Sequence, residues 1–205
     1  EGELSAQIRL PLAEAKCQAA CGVLAGIVQQ AVLKAYEAVE AAYYTRAADP
    51  AYTAALGRRP EVKDFAGTLL LAALLPADGE RLVISCQVGD GMIALLNTGA
   101  PFDVSLRLMG QADSGSFSGE TEFLTSENMR SLDALQSRTR IFRGAADCLL
   151  VMSDGVADDY FPCAPGLYRL YFDLVANGIL PGRVPALSLS ALTQQQVRLF
   201  KKLPD

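Results

Sequence analysis

Two short turns carry the side chains best suited to chemistry: Val88-Gly89-Asp90-Gly91 and Met152-Ser153-Asp154-Gly155. Each sets an Asp beside a Gly, immediately after an apolar stretch. A strand end is a rigid mount, because ladder hydrogen bonds hold its backbone. Asp is the shortest carboxylate and loses little rotamer entropy when fixed there. Gly lets the chain turn sharply and lets water or a ligand approach. Two such carboxylates, brought together, would offer the hard oxygen donors that Mg²⁺ and Mn²⁺ take. The plainer alternative is two ordinary Asp-Gly turns, since both residues are frequent in turns. The chain contains no His. That excludes His-based triads, zincin motifs and imidazole general bases. Chemistry here must rest on carboxylates, Cys, Ser, Lys, Arg or a bound metal.

The elements that would position these turns follow from the pattern around them. From about Pro11 to Ala47 the chain is rich in Ala, Leu, Val and Glu. Val23, Leu24, Ile27, Val28, Val32, Leu33, Tyr36 and Val39 recur there with helical period. One long amphipathic helix, or two in tandem, is predicted. Residues 46–60, with Asp49-Pro50 and Gly57, are predicted as a loop. Thr68–Leu75 and Arg81–Val88 read as two strands joined at Asp78-Gly79. In the second, Leu82, Ile84, Cys86 and Val88 alternate with Ser85 and Gln87. Met92–Leu96 and Val104–Met109 would continue an antiparallel meander. Residues 110–146 are polar, with strands expected at Ser131–Leu135 and Thr139–Arg143. Cys148–Met152 is predicted as a buried central strand. Helices are expected at Leu167–Ala176 and Leu187–Leu203, the first closed by Gly178. Helix, then strands, then helices is an α+β order.

Composition bounds the rest. The 205 residues are 51% hydrophobic and 20% charged, enough apolar material for a core. The net charge of −5 argues against a nucleic-acid backbone as partner. No run of about 18 apolar residues is evident, so no membrane span is expected. The five Cys include no CxxC pair, and a reducing, cytoplasmic setting fits them. Cys86 and Cys148 sit in apolar runs and read as buried hydrophobes, and Cys17 and Cys21 read as sharing a core face. Asp158-Asp159 reads as acids near a helix N-terminus. Arg138, Arg140 and Arg143 read as a solvated strand face, and Ser114–Gly119 as a loop.

The order of motifs carries more than any one of them. Gly67-Thr68-Leu69-Leu70, a hairpin, Val88-Gly89-Asp90-Gly91, Glu122-Phe123-Leu124-Thr125 and Leu150-Val151-Met152-Ser153-Asp154-Gly155-Val156 follow in sequence. This series resembles the PPM (protein phosphatase 2C) family, most closely its bacterial branch, over roughly residues 12 to 180. The resemblance implies an antiparallel β-sandwich flanked by helices. It implies metal-dependent hydrolysis of phosphoserine and phosphothreonine, with two Mn²⁺ or Mg²⁺ ions bridging the attacking water. Asp154, in the Ser-Asp-Gly turn with Gly155, would bind a core ion. Asp90 would contribute to a third ion, as in bacterial members. The implied partners are phosphorylated protein substrates and a Ser/Thr kinase.

The chain departs from the family pattern in places. No Asp-Gly precedes the first long helix, and no Asp-Asp or Asp-Asn follows Asp159. Gly91 stands where many members carry Ser, and Leu69 replaces a second Thr. The expectation is therefore a single domain over residues 1–205, incomplete at both ends. The alternative is a catalytically inactive PP2C-like pseudophosphatase that binds a phosphoprotein or kinase.

Overall fold

The structure is a computed structural model that describes residues 14–100, 105–110, 121–160 and 164–180. The expected helix at Leu187–Leu203 and the Ser114–Gly119 loop lie outside them. The chain divides into two compact units, one reaching to Ser153 and one starting at Asp154.

The first unit opens on α1 (Glu14–Ala47), one helix of 34 residues rather than two. Val28, Val32 and Tyr36, spaced by four, form its buried line. They meet Ile84, Cys86 and Val88 in one apolar cluster. The predicted apolar face is wider than this: Val23 is 55% exposed and Ile27 38%. Residues 19–47 are also long and apolar enough to cross a membrane, with an 18-residue stretch of mean hydropathy 1.3, contrary to expectation. Val, Leu and Ile carry most of that value, and of the large side chains those at 28, 32 and 36 are taken up by packing.

A short helix, α2 (Pro50–Leu56), replaces the loop predicted there. Its punctuation is a pair of caps. The Asp49 carboxylate accepts the Ala51 N–H at 2.9 Å, and Gly57 closes the helix at φ 73°. Asp-Pro and Gly are turn signals in isolation and helix-end signals when six residues of good helix former lie between them.

Among the described residues six strands follow: β1 (Leu69–Ala77), β2 (Glu80–Val88), β3 (Met92–Leu96), β4 (Leu106–Leu108), β5 (Thr139–Gly144) and β6 (Cys148–Met152). They form two antiparallel sheets of order β1-β2-β5 and β4-β3-β6. The β1–β2 hairpin runs from Leu69↔Val88 to Ala77↔Glu80. Its two-residue loop has Asp78 at φ 47° and Gly79 at φ 83°. Both are left-handed, as the hairpin-compatible type I′ turn requires. Pro76 sits on β1, at the edge of the described sheet, where its missing donor does least harm.

The single meander expected from the sequence is split. At Gly89–Gly91 the chain leaves the first sheet and starts the second. The reason lies in β2, which is buried from Leu82 to Val88. One face meets α1. On the other, Val83 shares an apolar cluster with Ile93, Leu95 and Met109. The alternation of Ser85 and Gln87 therefore does not mark a solvent face; both are buried. The Ser85 hydroxyl donates to the Met109 carbonyl. β6 is also not central. It lies at the edge of the described sheet with Val151 47% exposed, while β3 is buried at every position and takes the centre.

Ser131–Leu135, expected as a strand, instead opens helix α3 (Leu132–Arg138). Ser131 is extended at its start and Asp133 lies in its first turn, where a carboxylate suits the helix dipole. Leu135 is buried against the α1 cluster.

In the second unit, α4 (Asp154–Tyr160) and α5 (Ala164–Ala176) bury Ala157, Leu167, Leu170 and Tyr171. A β-carbon on Gly166 would strike the Tyr160 carbonyl, so the two helices meet there backbone to backbone. Gly178, at φ 70°, ends the helical stretch as predicted, its N–H donating to Val175 O at 3.0 Å.

Candidate functional site

The β2–β3 turn is built by contacts on each of its residues. Gly89 has φ 109°, and Cβ and Cγ2 of Thr68 occupy the space a side chain would need. At Gly91 that space is taken by the Met152 carbonyl and a Leu70 methyl. Close approach thus requires both glycines, and at Gly89 the backbone conformation requires it as well. Between them Asp90 is half-buried, and its Oδ2 accepts the Thr121 hydroxyl at 2.7 Å.

Beneath the turn lies Gln87, only 1% exposed. Its Nε2 donates to Gly89 O at 3.2 Å and to Gly91 O at 2.6 Å, bracketing Asp90 from the core side. Its Oε1 has no hydrogen-bond partner. Turning the amide over would set that oxygen against two carbonyls, so the orientation follows from the turn. A buried orphan acceptor costs about 1–3 kcal/mol. The large amide in this mostly apolar layer, which Ser85 shares, is explained by what its nitrogen holds.

The segment after Thr121 is tied back to the same place. Leu124 N–H donates to Gly67 O at 2.8 Å, beside Thr68. Glu122 pairs with Arg138 at 2.7 Å and accepts from Asn128. Three stretches separated in sequence, at 67–68, 87–91 and 121–124, therefore meet around Asp90. Thr121 and Gln87 were not foreseen. Gln87 left a signal, a large amide inside a buried run; Thr121, 31 residues away, left none.

The second predicted turn lies at the unit boundary. The register Met92↔Met152 brings the start of β3 and the end of β6 to the same end of the second sheet. Ser153 follows, and Asp154 is the first residue of α4, exposed. Gly155 has open space where a β-carbon would stand. Asp90 thus belongs to the first unit, and Asp154 and Gly155 to the second. Asp158 and Asp159 fall in the later part of α4, not at its N-terminus; Asp154 holds that position.

Carboxylate oxygens suit Mg²⁺ and Mn²⁺ in kind. In number they fall short: no three Asp, Glu, Cys or His side chains come together among the described residues. The thiols do not compete for the role. Burial raises the pKa of Cys86 and Cys148, keeping both as thiols. Cys86 is fully buried and Cys148 half-buried; Cys21 is half-buried on α1, and the Cys17 side chain lies outside the described set. The three predicted arginines do not form one strand face. Arg138 ends α3 and pairs with Glu122, Arg143 pairs with Glu80 at 2.8 Å, and Arg140 turns back onto the Ser137 and Thr139 carbonyls.

Comparison with curated proteins and with solved structures gives no match. A family model does match: that of protein phosphatase 2C, over residues 12–178. This span holds both Asp-bearing turns and nearly all of the described residues, and the chain belongs to the protein phosphatase 2C family.

Proposed function

We propose that the chain is a metal-dependent phosphatase acting on phosphoserine and phosphothreonine in proteins, its two sheets forming a helix-flanked sandwich. The observation that carries this reading is the family match over residues 12–178. The shared apolar cluster of β2 and β3 supports the sandwich. Asp154 is assigned as ligand to a catalytic Mn²⁺ or Mg²⁺, and Asp90 as ligand to an accessory one. Such ions supply a nucleophilic water at neutral pH and neutralise charge on the phosphoryl oxygens. The chain's own contribution is positional. Gly155 leaves the backbone at Asp154 open, and Gln87 with Thr121 holds Asp90 in place. A phosphorylated protein and the kinase that modifies it are the proposed partners. The thiols Cys86 and Cys148, both in the first unit, support a reducing, cytoplasmic setting.

A second reading is a pseudophosphatase that binds a phosphoprotein or kinase without turnover. The lack of a three-ligand cluster among the described residues favours it. Hydrolysis of p-nitrophenyl phosphate and of a phosphothreonine peptide by the native-length protein separates the two. The phosphatase reading expects Mn²⁺-dependent turnover that EDTA abolishes and that Asp154→Asn lowers at least about a hundredfold. A folded protein with no turnover at any Mn²⁺ concentration decides for the binding module.

A further inference from the structure

On the first unit, away from Asp90's own contacts, α1 and the segments at 62–65 and 125–130 enclose a cavity of about 210 Å³. Tyr43, Tyr44 and Phe65 line it, with Tyr43 set edge-on to Phe65 at 5.8 Å between centroids. Tyr36 and Arg130 form a further side. Arg130 is already committed. Its Nε donates to the Tyr36 hydroxyl at 2.6 Å, its Nη2 reaches Glu40 at 2.5 Å, and its guanidinium lies 4.9 Å over the Tyr36 ring. Glu127 also lines the cavity, is exposed, and forms no ion pair among the described residues. With Glu40 and Arg130 cancelling, Glu127 leaves the cavity with one net negative charge.

Aromatic faces attract cations through the ring quadrupole, and guanidinium more than most. The cavity wall already seats one guanidinium on a tyrosine ring, Arg130 on Tyr36, and outside the cavity Arg46 lies over Tyr52, whose ring is 6.5 Å from that of Phe65. A second guanidinium would find the rings of Tyr43, Tyr44 and Phe65, which pack on one another and carry no cation among the described residues, and a planar carboxylate at Glu127 to pair with. An anion would find Arg130 already engaged on its edge and its face. We infer that this cavity is a docking site for an arginine side chain presented by a partner polypeptide. The inference stands on these residues alone and does not depend on a metal at Asp90 or Asp154.

The probe is the tripeptide acetyl-Gly-Arg-Gly-amide, with its citrulline, norleucine and glutamate counterparts. The chain has no Trp and seven Tyr, three of which line the cavity, so a change in tyrosine emission that Tyr43→Leu diminishes reports binding there. Saturable change is expected with the Arg peptide. Glu127→Gln should weaken it about five- to tenfold, and Tyr43→Leu by a similar factor. Citrulline, which keeps the shape and loses the charge, should weaken it as much in the wild-type protein, independent of any variant's folding. Equal binding of the norleucine peptide would make this a plain apolar groove. Tighter binding of the glutamate peptide would reverse the charge argument. No saturable change with the Arg peptide up to its solubility would remove the site. Each of these three results overturns the inference.

Discussion

At Gly89 two constraints act on one atom that is not there. The backbone has φ 109°, where an L side chain is strained, and Thr68 fills the space beside it. These separate by experiment. Gly89→Ala should lower stability by about 2–4 kcal/mol, from left-handed strain and from overpacking together. Replacing Thr68 by Gly as well removes the atoms in the way and leaves only the strain. Urea midpoints of the two singles and the double should then show the double variant recovering about half of the loss attributed to Gly89→Ala. Simple additivity would mean that Thr68 is not the obstacle. The position of Asp90 was legible in the sequence because Gly on both sides of an Asp after an apolar run has few other uses. Its supports were not. Thr121 becomes a neighbour only through a tertiary contact, and the Thr68 contact depends on the β1–β2 register, which no local pattern shows.

Among the elements, those set by one long periodic pattern were legible and those set by their ends were not. α1, the β1–β2 hairpin, β3 and α5 each bury an apolar stripe or run, so the pattern survives in the sequence. α2 and α3 are each only seven residues long. Helices that short hold little of their own stability, and caps and packing decide them. The turn Val62–Phe65 shows the same dependence on ends. Asp64 accepts from Arg58 Nη1 at 2.7 Å and Nη2 at 2.5 Å, and from the Glu61 N–H at 2.8 Å. The Arg58 hydrogen bonds, then that of the Glu61 backbone, pull its pKa from 3.8 down to about 2. A carboxyl whose folded pKa is depressed stabilises the fold above its unfolded pKa. That contribution fades as pH falls toward the folded value. The clasp should therefore be whole at pH 5 and open progressively between about pH 4 and pH 2. Carboxyl NMR should place the Asp64 midpoint near 2, and Arg58→Gln should return it toward 3.8. A midpoint near 3.8 in the wild-type protein would remove the clasp.

For the whole molecule, the family match and the described geometry pull in different directions on the metal. The match spans residues 12–178, yet the described residues gather no three ligands, and Asp90 and Asp154 fall in separate units. Binding resolves this independently of turnover. An ion that binds only the folded state raises stability by about 2.7 kcal/mol at a hundred times its dissociation constant. In a chain of this size one kcal/mol moves the melting temperature by roughly 2–4 °C, so a complete site should raise it by about 5–10 °C. Two separate carboxylates, each with a shell of water, bind far more weakly and should leave the transition where it was. Melting the native-length protein with and without Mn²⁺, alongside Asp154→Asn and Asp90→Asn, therefore reads the ligand count. The phosphatase reading expects the shift in wild type, its near loss in Asp154→Asn and a smaller reduction in Asp90→Asn, since the accessory ion contributes less. A wild-type transition that does not move with Mn²⁺ would leave both Asp residues as turn formers and favour the binding module. A shift that survives Asp154→Asn unchanged would place the ion elsewhere and overturn the assignment of that residue.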